Sequence, residues 1–193
     1  MRKLIAAINM TLDGFCDHTT SVADDQLHQH YTKLLRDAGV LLYGRITYEL
    51  MEYWPKILKN PTGNKSIDEF AVVMDQTPKI VFSHTLKHIE WKSARLAEKS
   101  LEEEVVELKQ QEGKDIFVGS RSLIVSLLNL NLIDELQLCI QPIIAGGGLP
   151  LFDNINRRND LRLVKSKLLN NTGSMILYYE PKKITDSQDN TSA

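Results

Sequence analysis

Very little in this sequence offers a covalent or metal staple. It has two cysteines, Cys16 and Cys139, far apart along the chain. That excludes a disulfide framework and a cysteine-paired metal site. Each cysteine reads instead as a small hydrophobe. Positive charge is not in excess either: 23 Lys and Arg stand against 25 Asp and Glu, a net charge of −2. A general nucleic-acid binder is usually basic, so no nucleic-acid partner is expected. No apolar run is long enough to span a membrane. The run Leu4–Ile8 is short and soon meets Asn9 and Asp13, so it reads as a strand and not a signal peptide. A cytoplasmic protein is expected, and the sequons at Asn64 and Asn170 are chance matches. His18, His30 and His88 form no metal-ligand grouping. No G-x-G-x-x-G follows the first strand, which disfavours a standard Rossmann dehydrogenase. No internal repeat and no second domain are visible.

What is present is strand–helix alternation. Lys3–Asn9 reads as a buried central strand, and Asp13-Gly14 as the turn after it. Asp24–Ala38 reads as a helix, with Leu27, Tyr31, Leu34, Leu35 and Ala38 on one stripe and Gly39 at its C-terminal end. Val40–Tyr43 is a second strand. A helix follows, ending at or just before Trp54-Pro55. Asn60–Asn64 is a loop, and Ser66 to Glu69 a capping-box pattern. Lys79–Ser83 is a strand, Ile89–Leu96 another candidate, and Ser100 to Glu103 a second capping box. Asp115–Val118 is a strand leading into a helix. Ile133–Gln141 alternates apolar with polar, which predicts a half-buried strand. Leu161–Leu169 and Ser174–Tyr179 flank a turn-type loop and predict a hairpin. Residues 1–181 form the domain; 182–193 are a polar tail expected to be disordered. The pattern predicts an α/β fold with a mostly parallel sheet, helices over it and an antiparallel C-terminal edge.

Strand ends carry equipment suited to phosphate. Gly44-Arg45-Ile46-Thr47 is a strand end, a glycine turn and a helix start. Such a start presents unpaired N–H groups and favours an anion. Arg45 adds a planar fork for phosphate oxygens. Ser83-His84-Thr85 and Gly119-Ser120-Arg121-Ser122 also follow strands. In an open α/β sheet ligands sit beyond the carboxyl ends of strands, so these ends suit one dinucleotide. Each also has a plain structural reading. Arg45 is then a solvated surface residue, Ser83-His84-Thr85 a polar loop, and Ser120 or Ser122 a helix cap. Asp13 is either a turn residue or a carboxylate that binds a polar ring or orients a proton donor. Asp24, Asp25 and His28 open the first helix, and spacing selects none of them. Ala145-Gly146-Gly147-Gly148 is a flexible loop that lets a ligand approach the backbone.

Several stretches, taken in order, resemble the dihydrofolate reductase-like family, most closely the reductase (C-terminal) domain of the bacterial bifunctional riboflavin-biosynthesis deaminase–reductase. They are Met10-Thr11-Leu12-Asp13-Gly14, Gly44-Arg45-Ile46-Thr47-Tyr48-Glu49, Val81-Phe82-Ser83, Ile116-Phe117-Val118-Gly119, Leu132-Ile133-Asp134-Glu135-Leu136, and Pro142 through Gly146-Gly147-Gly148 to Phe152. The resemblance implies a three-layer α/β/α fold and NADPH as hydride donor. It places Gly44, Arg45 and Thr47 on the cofactor's phosphates and Ser83 and His84 at the adenosine 2′-phosphate. It places Gly119, Ser120, Arg121 and Ser122 on the pyrophosphate, and Asp13, as catalytic and substrate-binding residue, with Ala145, Gly146 and Gly147 towards the substrate. It also implies a homodimer and no metal. The implied activity is reduction of a small heterocyclic or ribosylamino-type substrate, as in 5-amino-6-(5-phosphoribosylamino)uracil reductase or dihydrofolate reductase. A non-catalytic NADP-binding module that keeps the fold is the alternative. One departure stands out: the family often has Gly-Gly at the pyrophosphate turn, and here it is Gly119-Ser120.

Overall fold

The computed structural model describes residues 1–18 and 24–182; the tail expected to be disordered lies outside them from residue 183 onward. Strands β1 (Leu4–Thr11), β2 (Ala38–Gly44), β3 (Lys79–Phe82), β4 (Ala94–Leu96), β5 (Asp115–Val118), β6 (Glu135–Gln141), β7 (Leu161–Leu169) and β8 (Ser174–Pro181) form one sheet. Its order is β4-β3-β2-β5-β1-β6-β8-β7. The first six strands run parallel; β8 is antiparallel to β6, and β7 to β8. The helices are α1 (Asp25–Asp37), α2 (Arg45–Met51), α3 (Trp54–Lys59), α4 (Lys65–Gln76), α5 (Leu101–Gln110) and α6 (Arg121–Asn129). Among the described residues no helix is long and apolar enough to cross a membrane.

Alternating strand residues serve opposite faces. Leu4, Ala6, Leu42, Val118 and Leu136 pack with Val105 and Leu108 of α5 and Leu123 and Ile124 of α6. Ala7, Leu41, Tyr43, Val81 and Phe117 pack with Leu34 and Leu35 of α1, Tyr48 of α2 and Phe70 and Met74 of α4. That is the expected three-layer arrangement. Leu4, Leu42, Ile124 and Leu136 have no exposed surface, and full burial of such a side chain stabilises by about 1.5–3 kcal/mol.

Several local expectations change. Gly39 does not close α1 in a left-handed turn: Ala38 is already extended and the chain runs straight into β2. Gly39 is small for another reason, since a Cβ there would sit 2.9 Å from Nη2 of Arg2. Trp54-Pro55 opens α3, where proline's missing N–H costs nothing. The cap of α4 is Asn64, two residues before Ser66, accepting from Ser66 N and Ile67 N. The stretch Ile89–Leu96 forms a strand only over Ala94–Leu96. Strand β6 is covered on both faces: Gln137, Cys139 and Gln141 are all buried, because β6 lies inside the sheet and Leu27, Leu169 and Ile176 pack with Cys139 on its polar side.

Candidate active site

The topology places the predicted ligand edge. Strand β2 hands the chain outward to β3, whereas β5 sends it back across β1 to β6. The crevice between the carboxyl ends of β2 and β5 is therefore a switch point, where ligands of open α/β sheets bind. Two of the sequence motifs meet there. The N–H of Gly44 donates to Oγ of Ser120 at 2.9 Å. A Cβ on Gly44 would lie 3.4 Å from Oγ of Ser122. The third motif is adjacent, because Gly44 pairs with Phe82 and Ser83 follows it.

Ser120 explains the departure from Gly-Gly. It is buried and sits at the N-cap position of α6, yet it makes no side-chain cap there. Its hydroxyl is turned across the crevice to Gly44 instead. The first turn of α6 thus has no side-chain cap, which leaves its dipole end suited to an anion. The expected cap by Ser120 is corrected accordingly. At the start of α2, a seven-residue helix, the Gly44 N–H is already used by Ser120, which leaves the side chains of Arg45 and Thr47 as its polar groups. Gly119 is needed for packing, since a Cβ there would lie 3.3 Å from the Phe117 ring.

The cations are less free than expected. Arg45 pairs with Glu49 one turn on, at 2.9 Å, with both side chains over two-fifths exposed. Arg121 is turned away from the crevice. Its Nε donates to the Pro150 carbonyl at 2.9 Å, and its Nη2 lies 3.5 Å from Asp153 Oδ2. These two contacts tie Arg121 to the Pro150–Asp153 turn. Thr47 is half-buried, while Ser122 and His84 are exposed. Ser83 accepts from the N–H groups of Thr85 and Leu86 at 3.2 and 3.0 Å, a turn that shapes the loop after β3.

Asp13 lies past the end of β1, and its oxygens are used. Thr11 donates its hydroxyl at 2.6 Å, Ala145 its N–H at 3.1 Å and Gly146 its N–H at 2.8 Å. These bonds, Thr11's first, hold the carboxyl down at about 2. Such a group has no proton to donate at neutral pH. In this structure Asp13 fixes the start of the Ala145–Gly148 loop; as an exposed carboxylate it can also accept from a polar group or orient a donor. Asp17 adds a second clamp by accepting from Leu149 N at 2.7 Å, and a Cβ on Gly148 would collide with its Oδ2 at 2.2 Å. The loop expected to be flexible is tied at both ends.

A cavity of about 530 Å³ lies elsewhere, between α1 and the β6–β8–β7 face, with walls of mixed charge such as Lys33, Asp37, Glu135 and Lys165. It touches none of the glycine turns, so the strand ends remain the candidate site.

The sequence profile of the RibD C-terminal domain family matches residues 2–173. The chain belongs to this family. A similar relative of this RibD-type domain is the "Uncharacterized protein YyaP" of Bacillus subtilis (strain 168), 32% identical over 183 residues, covering 92% of this chain and 95% of that one. A solved structure of a proposed riboflavin biosynthesis protein from Shewanella sp. PV-4 superimposes with a TM-score of 0.69 at 19% identity, covering 94% of this chain and 99% of that one. The diaminohydroxyphosphoribosylaminopyrimidine deaminase/5-amino-6-(5-phosphoribosylamino)uracil reductase of Thermotoga maritima does so with a TM-score of 0.64 at 16% identity, over 94% of this chain and 57% of that one. The fold is thus that of the riboflavin-pathway reductases.

Within this RibD-type domain the structure also selects among the residues that open α1. Asp25 is committed to Ser66 and Asn64 of the α4 cap. Asp24 caps α1 through Oδ1, accepting from Leu27 N at 2.8 Å, and its buried Oδ2 has no hydrogen-bond partner among the described residues. One turn on, His28 has a buried Nδ1 with no hydrogen-bond partner among the described residues, with its ring edge-on to Trp54 and Phe70. Because α1 connects parallel strands, its N-terminus lies at the carboxyl end of the sheet. Spacing selects none of the three; what separates them is that Asp25 faces the α4 cap.

Proposed function

We propose that this domain is an NADPH-dependent reductase of a small heterocyclic or ribosylamino-type substrate. One observation carries the reading: Gly44 ends β2, and Ser83, Gly119 and Asp13 follow the ends of β3, β5 and β1, adjacent strands on one edge. With β6 and the clamped loop beyond, that edge runs roughly 19 Å at the usual strand spacing. It suits an extended dinucleotide with phosphates in the middle and substrate at the β1–β6 end.

The residues fit such a cofactor. Gly44 and Gly119 keep the crevice clear of side chains, and the backbone N–H groups of Arg121 and Ser122 face it without a side-chain cap. Arg45 exchanges Glu49 for phosphate at little cost, because an exposed ion pair is worth about 0–1 kcal/mol. Thr47 donates from the same helix. Ser83 and His84 lie at the 2′-phosphate end. NADPH, when bound, supplies the hydride. The chain's own part is orientation and exclusion of water. Asp13 and Asp17 hold the loop Ala145–Leu149, which is bracketed by the exposed Ile144 and Leu149 at the substrate end. Asp24 Oδ2 and His28 Nδ1 offer polar contacts for N–H or O–H groups of the substrate.

We further propose that the domain works as a homodimer. Leu163 and Leu168 of β7 and Met175 of β8 share one sheet face and are 41–52% exposed. Strand β7 is one of the sheet's two edges, β4 being the other. The alternative reading is a non-catalytic NADP-binding module that keeps the fold and the same cofactor contacts. Single-turnover oxidation of NADPH at 340 nm against a panel of pyrimidine and pteridine substrates separates the two. Oxidation with any substrate supports the reductase; tight binding with none supports the binding module.

A further inference from the structure

Lys79, the first residue of β3, is 1% exposed, yet it lies at the far end of that strand from Ser83. Its Nζ donates to the Thr77 carbonyl at 2.6 Å, to Ser93 Oγ at 2.8 Å and to the Asp75 carbonyl at 3.4 Å. It also sits 4.0 Å from the centroid of the Trp91 ring. The Trp91 indole N–H donates to Asp75 Oδ1 at 2.6 Å, and Ser93 donates its hydroxyl to the Asp75 carbonyl at 2.6 Å. The ring of Trp91 then packs on Tyr48 of α2, centroids 6.4 Å apart. Lys79 therefore gathers the end of α4, the crossover 83–93 and, through Trp91, the helix that carries Arg45 and Thr47.

We propose that Lys79 is a protonation-sensitive positioning residue, whose ammonium anchors the crossover 83–93 and so sets Ser83, His84 and α2 at the cofactor edge. Three oxygens face Nζ, and an ammonium has three N–H groups to meet them. Ser93 has spent its own hydrogen on Asp75, so it only accepts. A neutral amine has two hydrogens and a lone pair, so it gives up one of the three contacts and leaves the indole face without its cation. The remaining charges around this cluster are few. Asp75 of α4 is the opposing charge and favours the ammonium. Glu90 and Lys92 flank Trp91 in the crossover, Glu52 lies near Tyr48, and Arg95 of β4 is paired with Glu104. Burial, the larger influence, brings Lys79 down to about 7, so the anchor releases within the physiological range.

The two tryptophans are Trp54 and Trp91, and Trp54 touches His28, so the test uses a Trp54→Phe background. The expected result is a red shift of Trp91 emission as pH rises, with a single midpoint near 7. Lys79→Met abolishes that transition. Asp75→Asn, which keeps the hydrogen-bonding shape, moves the midpoint lower and covers the case in which Lys79→Met fails to fold. Emission that is flat from acid to base, a transition that survives Lys79→Met, or an unmoved midpoint in Asp75→Asn overturns the proposal. The link to Ser83 and His84 rests on the NADPH reading and is read separately. With the anchor released, NADPH preference over NADH narrows at least threefold. If neither nucleotide binds at any pH while the emission transition persists, the cofactor reading fails and the anchor stands.

Discussion

At the scale of single residues the site is held by groups whose polar atoms point at each other. Ser120 is the plainest case. Its hydroxyl is the partner of a buried Gly44 N–H, so Ser120→Ala leaves that donor unpaired and costs about 1–3 kcal/mol. Urea denaturation of the variant measures it. Gly119→Val is expected to cost about 1–3 kcal/mol through the Phe117 contact, whereas Gly44→Ala, whose Cβ meets only ordinary contacts, folds with nearly unchanged stability and loses NADPH affinity. Equal losses of stability in both would contradict the assignment of Gly44 to the ligand face. Asp13 gives a pH prediction. Its folded value of about 2 lies below the ordinary 3.8, so its contribution is complete above the ordinary value and is lost as pH falls through about 2. Protection of the Ala145 and Gly146 amides, taken relative to their intrinsic exchange rates, should therefore persist down to about pH 3 and fall below it; in Asp13→Ala it should be lost throughout.

At the scale of elements, the capping box of α5 is complete. Ser100 accepts from Glu103 N, and Glu103 accepts from Ser100 N. Ser100→Ala should cost about 1 kcal/mol, a loss readable in thermal melts. This box was legible in the sequence because both partners lie within four residues. The same pattern at Ser66 misled, since Asn64 stands closer to the helix start and Ser66 is drawn to Asp25, forty-one residues away. The central strands were legible from their continuous apolar runs. The burial of Gln137 and Gln141 was not, because alternation in a sequence reports polarity and not what packs above it. At the site, the glycine turns were legible as turns. That Ser120 serves another strand, and that Arg121 and Asp13 serve loops, depends on contacts across 29 to 133 positions, which no local pattern carries.

At the scale of the whole molecule, the order β4-β3-β2-β5-β1-β6-β8-β7 turns separate short motifs into one edge. It also leaves β7 open, with Leu163, Leu168 and Met175 outward. The double variant Leu168→Glu, Met175→Lys should halve the mass found by light scattering if the domain pairs through this face; a wild-type monomer would refute the pairing. The most direct test of the central claim is thermal stability with NADPH, with NADH and with neither. At about a hundred times its dissociation constant a ligand stabilises by roughly 2.7 kcal/mol, which for a domain of this size raises Tm by about 5–10 °C. The account predicts that rise with NADPH, a smaller one with NADH, and loss of the NADPH effect in Arg45→Ala. No rise with either nucleotide at saturation, in protein that melts cooperatively, would contradict it.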